Sequence, residues 1–188
     1  MAKECVSLDD YRADFELSVN RSMSMPFAGL MVWSSVAVLS TQLDSDIAIL
    51  VLLFMTGAIF PLALLIAKVR EENLISSKNP LAKLMGMCVL MVNLLWVVHI
   101  PLYLYQPEFV PLSLGVSLGL HWVVYSWIVQ HPVGLVHAGL RALACFIAWF
   151  LWPEARLFAI STVIVVMYLF SLFQLATRPV SSLFTEST

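Results

Sequence analysis

Six apolar stretches, each long enough to cross a lipid bilayer as a helix, constrain this chain more than any other feature. A transmembrane helix needs about 20 consecutive, mostly apolar residues. The six stretches are residues 25–43, 47–69, 84–105, 110–129, 133–152 and 157–176. Prolines at positions 26, 111 and 132 lie where helices begin, which is where proline is tolerated. The sequence therefore predicts an all-α, polytopic transmembrane bundle with six spans.

The composition excludes an ordinary soluble domain. Of the 188 residues, 61% are hydrophobic and 12% are charged, whereas soluble domains have about 45–50% apolar and about 25% charged residues. The lipid bilayer is thus an expected partner, because it can cover an apolar exterior that water cannot. A net charge of −2 without a basic run gives no reason to expect nucleic acid.

The lysines and arginines predict the orientation. Nine of the ten fall before the first stretch, around the second connection, at position 141 or after the last stretch, and only Arg156 falls on the opposite side. Because cytoplasmic loops are enriched in Lys and Arg, both termini are predicted to be cytoplasmic. The predicted domains are a cytoplasmic N-terminal helix at 1–23, a six-helix transmembrane domain at 24–176 and a short cytoplasmic tail at 177–188.

The N-terminal segment is predicted to be an amphipathic helix. Ser7 is a suitable N-cap, and Leu8, Tyr11, Phe15 and Val19 recur at three- and four-residue steps over residues 8–22. Its polar face is acidic, which argues against electrostatic binding of this helix to anionic lipid. The helix either lies against the cytoplasmic ends of the bundle or docks a partner. The acidic segment also differs from a cleavable signal peptide.

The three cysteines predict no disulfide framework. Cys5 falls in the predicted cytoplasmic N-terminal segment, and Cys88 and Cys145 fall inside apolar helices, so we expect reduced thiols.

The second stretch is predicted to be kinked. Pro61 has no backbone N–H, which leaves the carbonyl of Gly57 without its helical donor. Such a kink serves either gating or packing.

The fourth stretch combines a polar stripe with a glycine face. Its four polar residues, spaced four apart, are Ser113, Ser117, His121 and Tyr125. At 100° per residue they drift slowly around a continuous helix and stay on one side. Glycines at 115 and 119 fall on the opposite side, as at a close helix crossing.

The fifth stretch carries two polar residues at membrane depth, His137 and Arg141. If the fourth and fifth helices form a hairpin around His131, then His121 matches Arg141 in depth and Tyr125 matches His137. These four residues, with Ser117, form the predicted intramembrane polar cluster.

No Asp or Glu lies inside any of the six stretches. Arg141 must therefore be compensated by carbonyls, aromatic rings, water, a lipid head group, another subunit or an anionic ligand. Three interpretations stay open. In the first, the Arg141 head group extends toward the membrane interface and the histidines are fully hydrogen-bonded. The other two are a water-filled pathway or anion-accepting pocket, and a catalytic or metal role. The histidines lack a recognisable metal-ligand spacing, so no metal or cofactor is expected.

Two further polar residues are secondary candidates. Asn93 is central in the third stretch and is expected to bond to a neighbouring helix at a close crossing. His99 falls on the opposite face of the same stretch, near Pro101.

Short motifs give the chain a family resemblance. The segments Phe60–Leu65 (FPLALL), Asn79–Leu81 (NPL) and His121–Trp127 (HWVVYSW) resemble those of small bacterial membrane proteins that form a family of unknown function. The resemblance implies a bacterial inner-membrane protein with six helices and carries over no activity.

The sequence favours a small channel or transporter, and leaves open its assembly into a homo-oligomer. The alternative is a noncatalytic accessory or scaffold protein that docks a cytoplasmic partner. A membrane enzyme ranks third, because no catalytic triad, phosphate loop or paired carboxylate is visible. A water-accessible path past His121 and Arg141 would favour transport, and a dry, packed bundle would favour the scaffold.

Overall fold

The computed structural model describes residues 6–19, 21, 23–72, 74 and 78–178; Cys5 and most of the predicted tail at 177–188 lie outside these residues. The described chain is helical and contains no strand. Its α-helices are α1 (Leu8–Ser18), α2 (Ser24–Leu39), α3 (Ser45–Gly57), α4 (Ile59–Arg70), α5 (Pro80–Leu94), α6 (Trp96–Tyr105), α7 (Val110–Ser117), α8 (His121–Ile128), α9 (Val133–Leu151) and α10 (Arg156–Thr177). Short 3-10 helices at Pro107–Phe109 and Pro153–Ala155 precede α7 and α10.

Four helical segments are long and apolar enough to cross a membrane. They are Pro80–Tyr105, Pro107–Ile128, Val133–Leu151 and Pro153–Thr177. The pair α3 and α4 makes a fifth if it is one bent span, and α2 is apolar but has only 16 residues. The predicted all-α architecture is confirmed, with four to five helices suited to a membrane, whereas the six spans stay a prediction.

The second predicted span is broken where Pro61 interrupts the hydrogen-bond ladder. Helix α3 ends at Gly57, α4 begins at Ile59, and the two are bent by 42°. The N–H of Ala58 bonds back to the carbonyls of Phe54 and Met55, which tightens the last turn of α3. The hydroxyl of Thr56 donates to the carbonyl of Leu52 at 2.8 Å and stays within its own helix.

Helix α10 forms the centre of the bundle, because it packs along both α2 and α9. At the crossing with α2, Gly29 lies against Tyr168, so that any side chain at position 29 would overlap the tyrosine ring. At the crossing of α8 and α9, Gly134 similarly lies against the backbone carbonyl of Trp122. Small residues thus permit close helix contacts, as is usual where lipid provides no hydrophobic drive for association.

Helix α1 begins at a capping box and lies against one end of the bundle. The Ser7 hydroxyl accepts from the N–H of Asp10, and the Asp10 carboxylate accepts from the hydroxyl and N–H of Ser7. These hydrogen bonds hold the pKa of Asp10 below its usual value. The helix ends at Ser18, short of the predicted residue 22. We call the side of the bundle next to it the α1 end.

Candidate functional site

Arg141 lies near the middle of α9 and is fully buried. Its Nε donates to the backbone carbonyl of Gly115 at 2.6 Å, and its Nη1 donates to the hydroxyl of Tyr168 at 3.3 Å. None of the ion pairs among the described residues includes Arg141. The guanidinium is therefore held by dipoles and rings rather than by a carboxylate, as the absence of acids from the six stretches predicts.

A break in the fourth predicted span supplies the carbonyl that Arg141 binds. In a regular helix the N–H of Gly119 would bond to Gly115, but here it bonds to the carbonyl of Val116 at 2.9 Å. The next N–H, of Leu120, bonds to Ser117, again with three-residue spacing. The tightened turn between α7 and α8 leaves the Gly115 carbonyl free to accept from Arg141.

Aromatic rings and a glycine enclose the guanidinium. Its central carbon lies 5.7 Å from the ring centroid of Trp33 and 5.4 Å from that of Tyr168, within cation–π range. A methyl group added at Gly119 would approach Arg141 Cδ to 3.1 Å, so position 119 leaves room for the arginine stem. Nη2 is buried and has no hydrogen-bond partner within the described chain. The site thus contains one nitrogen, with two unused N–H donors, on a fixed cation.

His137, one turn before Arg141 on α9, is also fully buried. Its Nδ1 lies 2.7 Å from the hydroxyl of Ser171, and its Nε2 lies 3.4 Å from Arg141 Nη1. Because arginine has no acceptor, Nε2 must accept, and the geometry assigns the ring proton to Nδ1. The imidazole also stacks on Trp122, with ring centroids 4.1 Å apart and planes 15° from parallel.

One of the two predicted cross-helix pairs differs from the observed contacts, because Trp122 rather than Tyr125 stacks on His137. His121 lies within electrostatic range of Arg141, although no hydrogen bond joins the two among the described residues. The prediction assumed a continuous fourth helix, and the tight turn at residues 118–120 changes the rotation of α8 relative to α7. Gly119 faces the stem of Arg141, whereas Gly115 lies at a close crossing with α9 and α10, where an added methyl group would approach Ile160 to 3.1 Å and Cys145 to 3.4 Å.

The break also divides the predicted polar stripe into two sites. Ser113 and Ser117, on α7, lie 3.1 Å and 3.2 Å from the two ring nitrogens of His99. His99 is buried, so the secondary candidate forms a separate polar contact between α6 and α7. His121 and Tyr125, on α8, instead line a cavity. Asn93 donates to the carbonyl of Val89 in its own helix, contrary to the predicted contact with a neighbouring helix.

A cavity of about 470 Å³ lies beside the cluster, among α1, α2, α4, α5 and α8. Its wall is mostly apolar, and its polar positions are Lys83, His121, Trp122 and Tyr125. A smaller cavity of about 60 Å³ shares His121 and Trp122 with it and includes Gly57 at the bend. Phe60 on α4 and Gly86 on α5 line the larger cavity and are exposed. The cavity is therefore open at the side of the bundle between these two helices.

Buried ionic contacts join α1 to the end of α10. Arg178 donates to both carboxylate oxygens of Glu16, at 2.8 Å and 2.6 Å, and also contacts the Tyr125 hydroxyl at 3.4 Å. Burial alone would lower the pKa of Arg178, but the bonds to Glu16 raise it above its usual value. The Asn79 amide donates to the Asp14 carboxylate at 2.8 Å and fixes α1 to the start of α5.

Sequence reasoning missed several residues of this site: Glu16, Trp33, Trp122, Tyr168, Ser171 and Arg178. Tyr168 and Ser171 had a usable signal, because a three-residue spacing places two polar side chains on one face of the last helix. The described residues contain no group of three or more His, Cys, Asp or Glu side chains placed to hold a metal ion. Cys88 and Cys145 are free and buried.

Comparison with known proteins identifies one family. The profile of DUF7010, a family of unknown function, matches residues 8–178. The resemblance to a family of unknown function is thereby confirmed. No curated protein and no solved structure gives a significant match.

Proposed function

The chain belongs to the DUF7010 family, whose function is unknown, and we propose that it is a six-span membrane protein that binds and moves a small molecule. The observation that carries the proposal is the cavity of about 470 Å³, which reaches His121. His121 lies beside the packed side chains of Trp33, His137, Arg141 and Tyr168, which we call the Arg141 layer. Cavities of about 300–1,000 Å³ with mostly apolar walls and a few polar groups are typical of small-molecule sites. The packed layer at Arg141 favours a carrier over an open channel.

The proposed topology has six spans, whereas four to five helical segments are long and apolar enough to cross a membrane. It treats α2 as a short span, α3 with α4 as one bent span, and both termini as cytoplasmic in a bacterial inner membrane. Under this topology the α1 end faces the cytoplasm, in agreement with the distribution of Lys and Arg. The cavity then opens in the cytoplasmic half of the bundle.

A noncatalytic scaffold is the second candidate. The observation in its favour is the tight enclosure of Arg141 and His137, both of which are fully buried. Helix α1, which carries the exposed acids Asp9 and Asp10, would then present the docking surface for a cytoplasmic partner.

Thiol labelling distinguishes the two functions without knowledge of the substrate. In a background lacking the native cysteines, Val89→Cys would place a thiol on the cavity wall. Ser117→Cys would place one at the level of Arg141, on the side of α7 that contacts His99. A membrane-impermeant methanethiosulfonate should modify position 89 from the α1 side and position 117, more slowly, from the opposite side. Leu90→Cys is the control, because Leu90 is exposed on α5 and does not line the cavity, so its thiol should stay unreactive in lipid.

The labelling pattern decides between carrier and scaffold. Modification at both positions, each from its own side, would support alternating access. Modification at 89 alone would leave a binding site without passage and overturn the transport proposal. Protection of both positions would indicate a sealed bundle and favour the scaffold.

A further inference from the structure

We infer that the cavity binds a single-chain amphiphile with an anionic head group, which enters from the lipid between α4 and α5. The inference deepens the proposed function by naming the ligand class of the same cavity. It rests on three features of the wall: its charge, its polarity along the span and its lateral opening.

The charge of the wall selects an anion. Lys83 is the one formally charged residue among the described residues that line the cavity, and no carboxylate lines it. Lys83 is exposed and lies in the first turn of α5, next to α1. An anionic head group at this position would meet a cation near the membrane surface, where a charge costs less than at the bilayer centre.

The order of residues along the span selects an amphiphile. Lys83 lies at the α1 end, whereas His121 and Trp122 lie deeper, at the start of α8. Between these levels the wall is formed by apolar groups such as Phe60, Met85 and Val89. A head group beside Lys83 would therefore direct an alkyl chain inwards, with its end near Trp122.

The lateral opening selects entry from lipid. Phe60 and Gly86 border the cavity on two different helices and are both exposed, and a side chain added at Gly86 would meet nothing within 4 Å. A chain-bearing molecule dissolved in the bilayer can thus reach the wall without crossing water. A cavity of this volume matches a drug-sized or single-chain ligand rather than a two-chain phospholipid.

Quenching of Trp122 by a bromine at the end of an alkyl chain tests the inference. The full-length protein in phosphatidylcholine nanodiscs would be titrated with 12-bromododecanoic acid at a pH that ionises the carboxyl group. We expect a saturable quenching component that disappears in Trp122→Phe, above a linear background from tryptophans exposed to lipid. The exposed Trp127 provides the control, because Trp127→Phe should keep the saturable component.

Variants at the head-group and chain positions refine the test. Lys83→Gln should raise the half-saturating concentration about tenfold, which corresponds to about 1.4 kcal/mol, and Lys83→Arg should preserve it. Lys78→Gln is the matched control, because Lys78 is exposed at the same end and does not line the cavity. Gly86→Phe should abolish saturable quenching by filling the cavity, whereas Gly139→Phe, also in open space, should not.

The Gly86→Phe variant keeps the test valid if Trp122→Phe fails to fold, because position 86 lies outside the packed core. Equal binding of 12-bromododecanol and the acid would overturn the anionic assignment and leave the cavity as a site for neutral molecules. Absence of saturable quenching by both probes would overturn the amphiphile assignment altogether. Thiol labelling at positions 89 and 117 tests transport separately, so the two proposals fail independently.

Discussion

The carbonyl of Gly115 accepts a 2.6 Å hydrogen bond from Nε of Arg141, a residue on another helix. The carbonyl is available because the turn after α7 redirects the N–H of Gly119 to Val116. The helix break and the buried arginine thus depend on each other: the break provides an acceptor, and the arginine satisfies a carbonyl that would otherwise be unpaired.

Replacement of Arg141 should therefore destabilise the bundle while sparing its insertion. Arg141→Leu removes the donor to Gly115 and to Tyr168, and buried acceptors without partners cost about 1–3 kcal/mol. Arg141→Lys keeps the charge but loses the planar guanidinium group with its several N–H donors, so this variant should be destabilised as well. Unfolding in a detergent–denaturant titration measures the loss.

Arg156→Leu is the matched control for Arg141. Arg156 is half-buried, and its guanidinium lies 4.2 Å from the ring centroid of Trp149. Its loss should cost under about 1 kcal/mol. Equal stability of Arg141→Leu and the wild type would mean that the cluster contributes nothing to folding and that residue 141 serves only as an orientation signal.

The close crossing of α8 and α9 should make position 134 intolerant of any side chain. In Gly134→Ala the new methyl group would overlap the backbone carbonyl of Trp122, which cannot rotate away. Because overpacking typically costs about 1–3 kcal/mol, we expect a clear drop in thermal stability. Gly139→Ala, on the same helix with nothing within 4 Å, should be neutral or gain about 0.5–1 kcal/mol. Similar behaviour of the two variants would contradict the crossing.

The helices of the bundle could be predicted from the sequence, because each apolar stretch combines the contributions of many residues. Stretches of about 20 apolar residues and prolines at helix starts place most helices within a few residues. The sequence also predicted that Arg141 has no acid to pair with. The contacts between helices could not be predicted, because they depend on rotation. Three residues at 118–120 form a tight turn that no proline marks, and they bring Trp122 rather than Tyr125 to His137.

The proposed orientation predicts the results of reporter fusions. Fusions after Arg21, near Asn79 and at Thr188 should read cytoplasmic, and those at Asp44, Glu108 and Glu154 should read external. The fusion between α2 and α3 is the most informative, because α2 has only 16 residues. A cytoplasmic reading at Asp44 would show that α2 does not span and would reduce the count to five.

The turn between α8 and α9 should be sensitive to acid through His131. Its Nδ1 accepts from the N–H of Val133 at 3.2 Å, and burial together with the positive charge of Arg178 lowers the pKa of His131. A lowered folded-state pKa means that the contribution to stability is complete above the unfolded value of about 6.5 and is lost as the pH falls through the folded value. His131→Gln should flatten the dependence of stability on pH between about pH 6.5 and the lower folded-state pKa of His131. An unchanged pH profile in this variant would assign the effect elsewhere.

The ion pair between Glu16 and Arg178 should hold α1 against the bundle. Both side chains are largely buried, with 10% and 3% of their surfaces exposed, and the two N–O distances are 2.8 Å and 2.6 Å. Reversal of either charge leaves two like charges in a poorly solvated site, where the loss of a partner costs about 3–5 kcal/mol. Glu16→Arg and Arg178→Glu should therefore each release α1, seen as faster hydrogen exchange of its amides, and the double variant should restore much of the protection.

Asp9→Arg is the control for these charge reversals, because the Asp9 side chain is 69% exposed and such surface pairs contribute little. If both single reversals keep wild-type protection, α1 is held by Asn79 and its apolar contacts, and the ion pair is not what fixes it over the cavity.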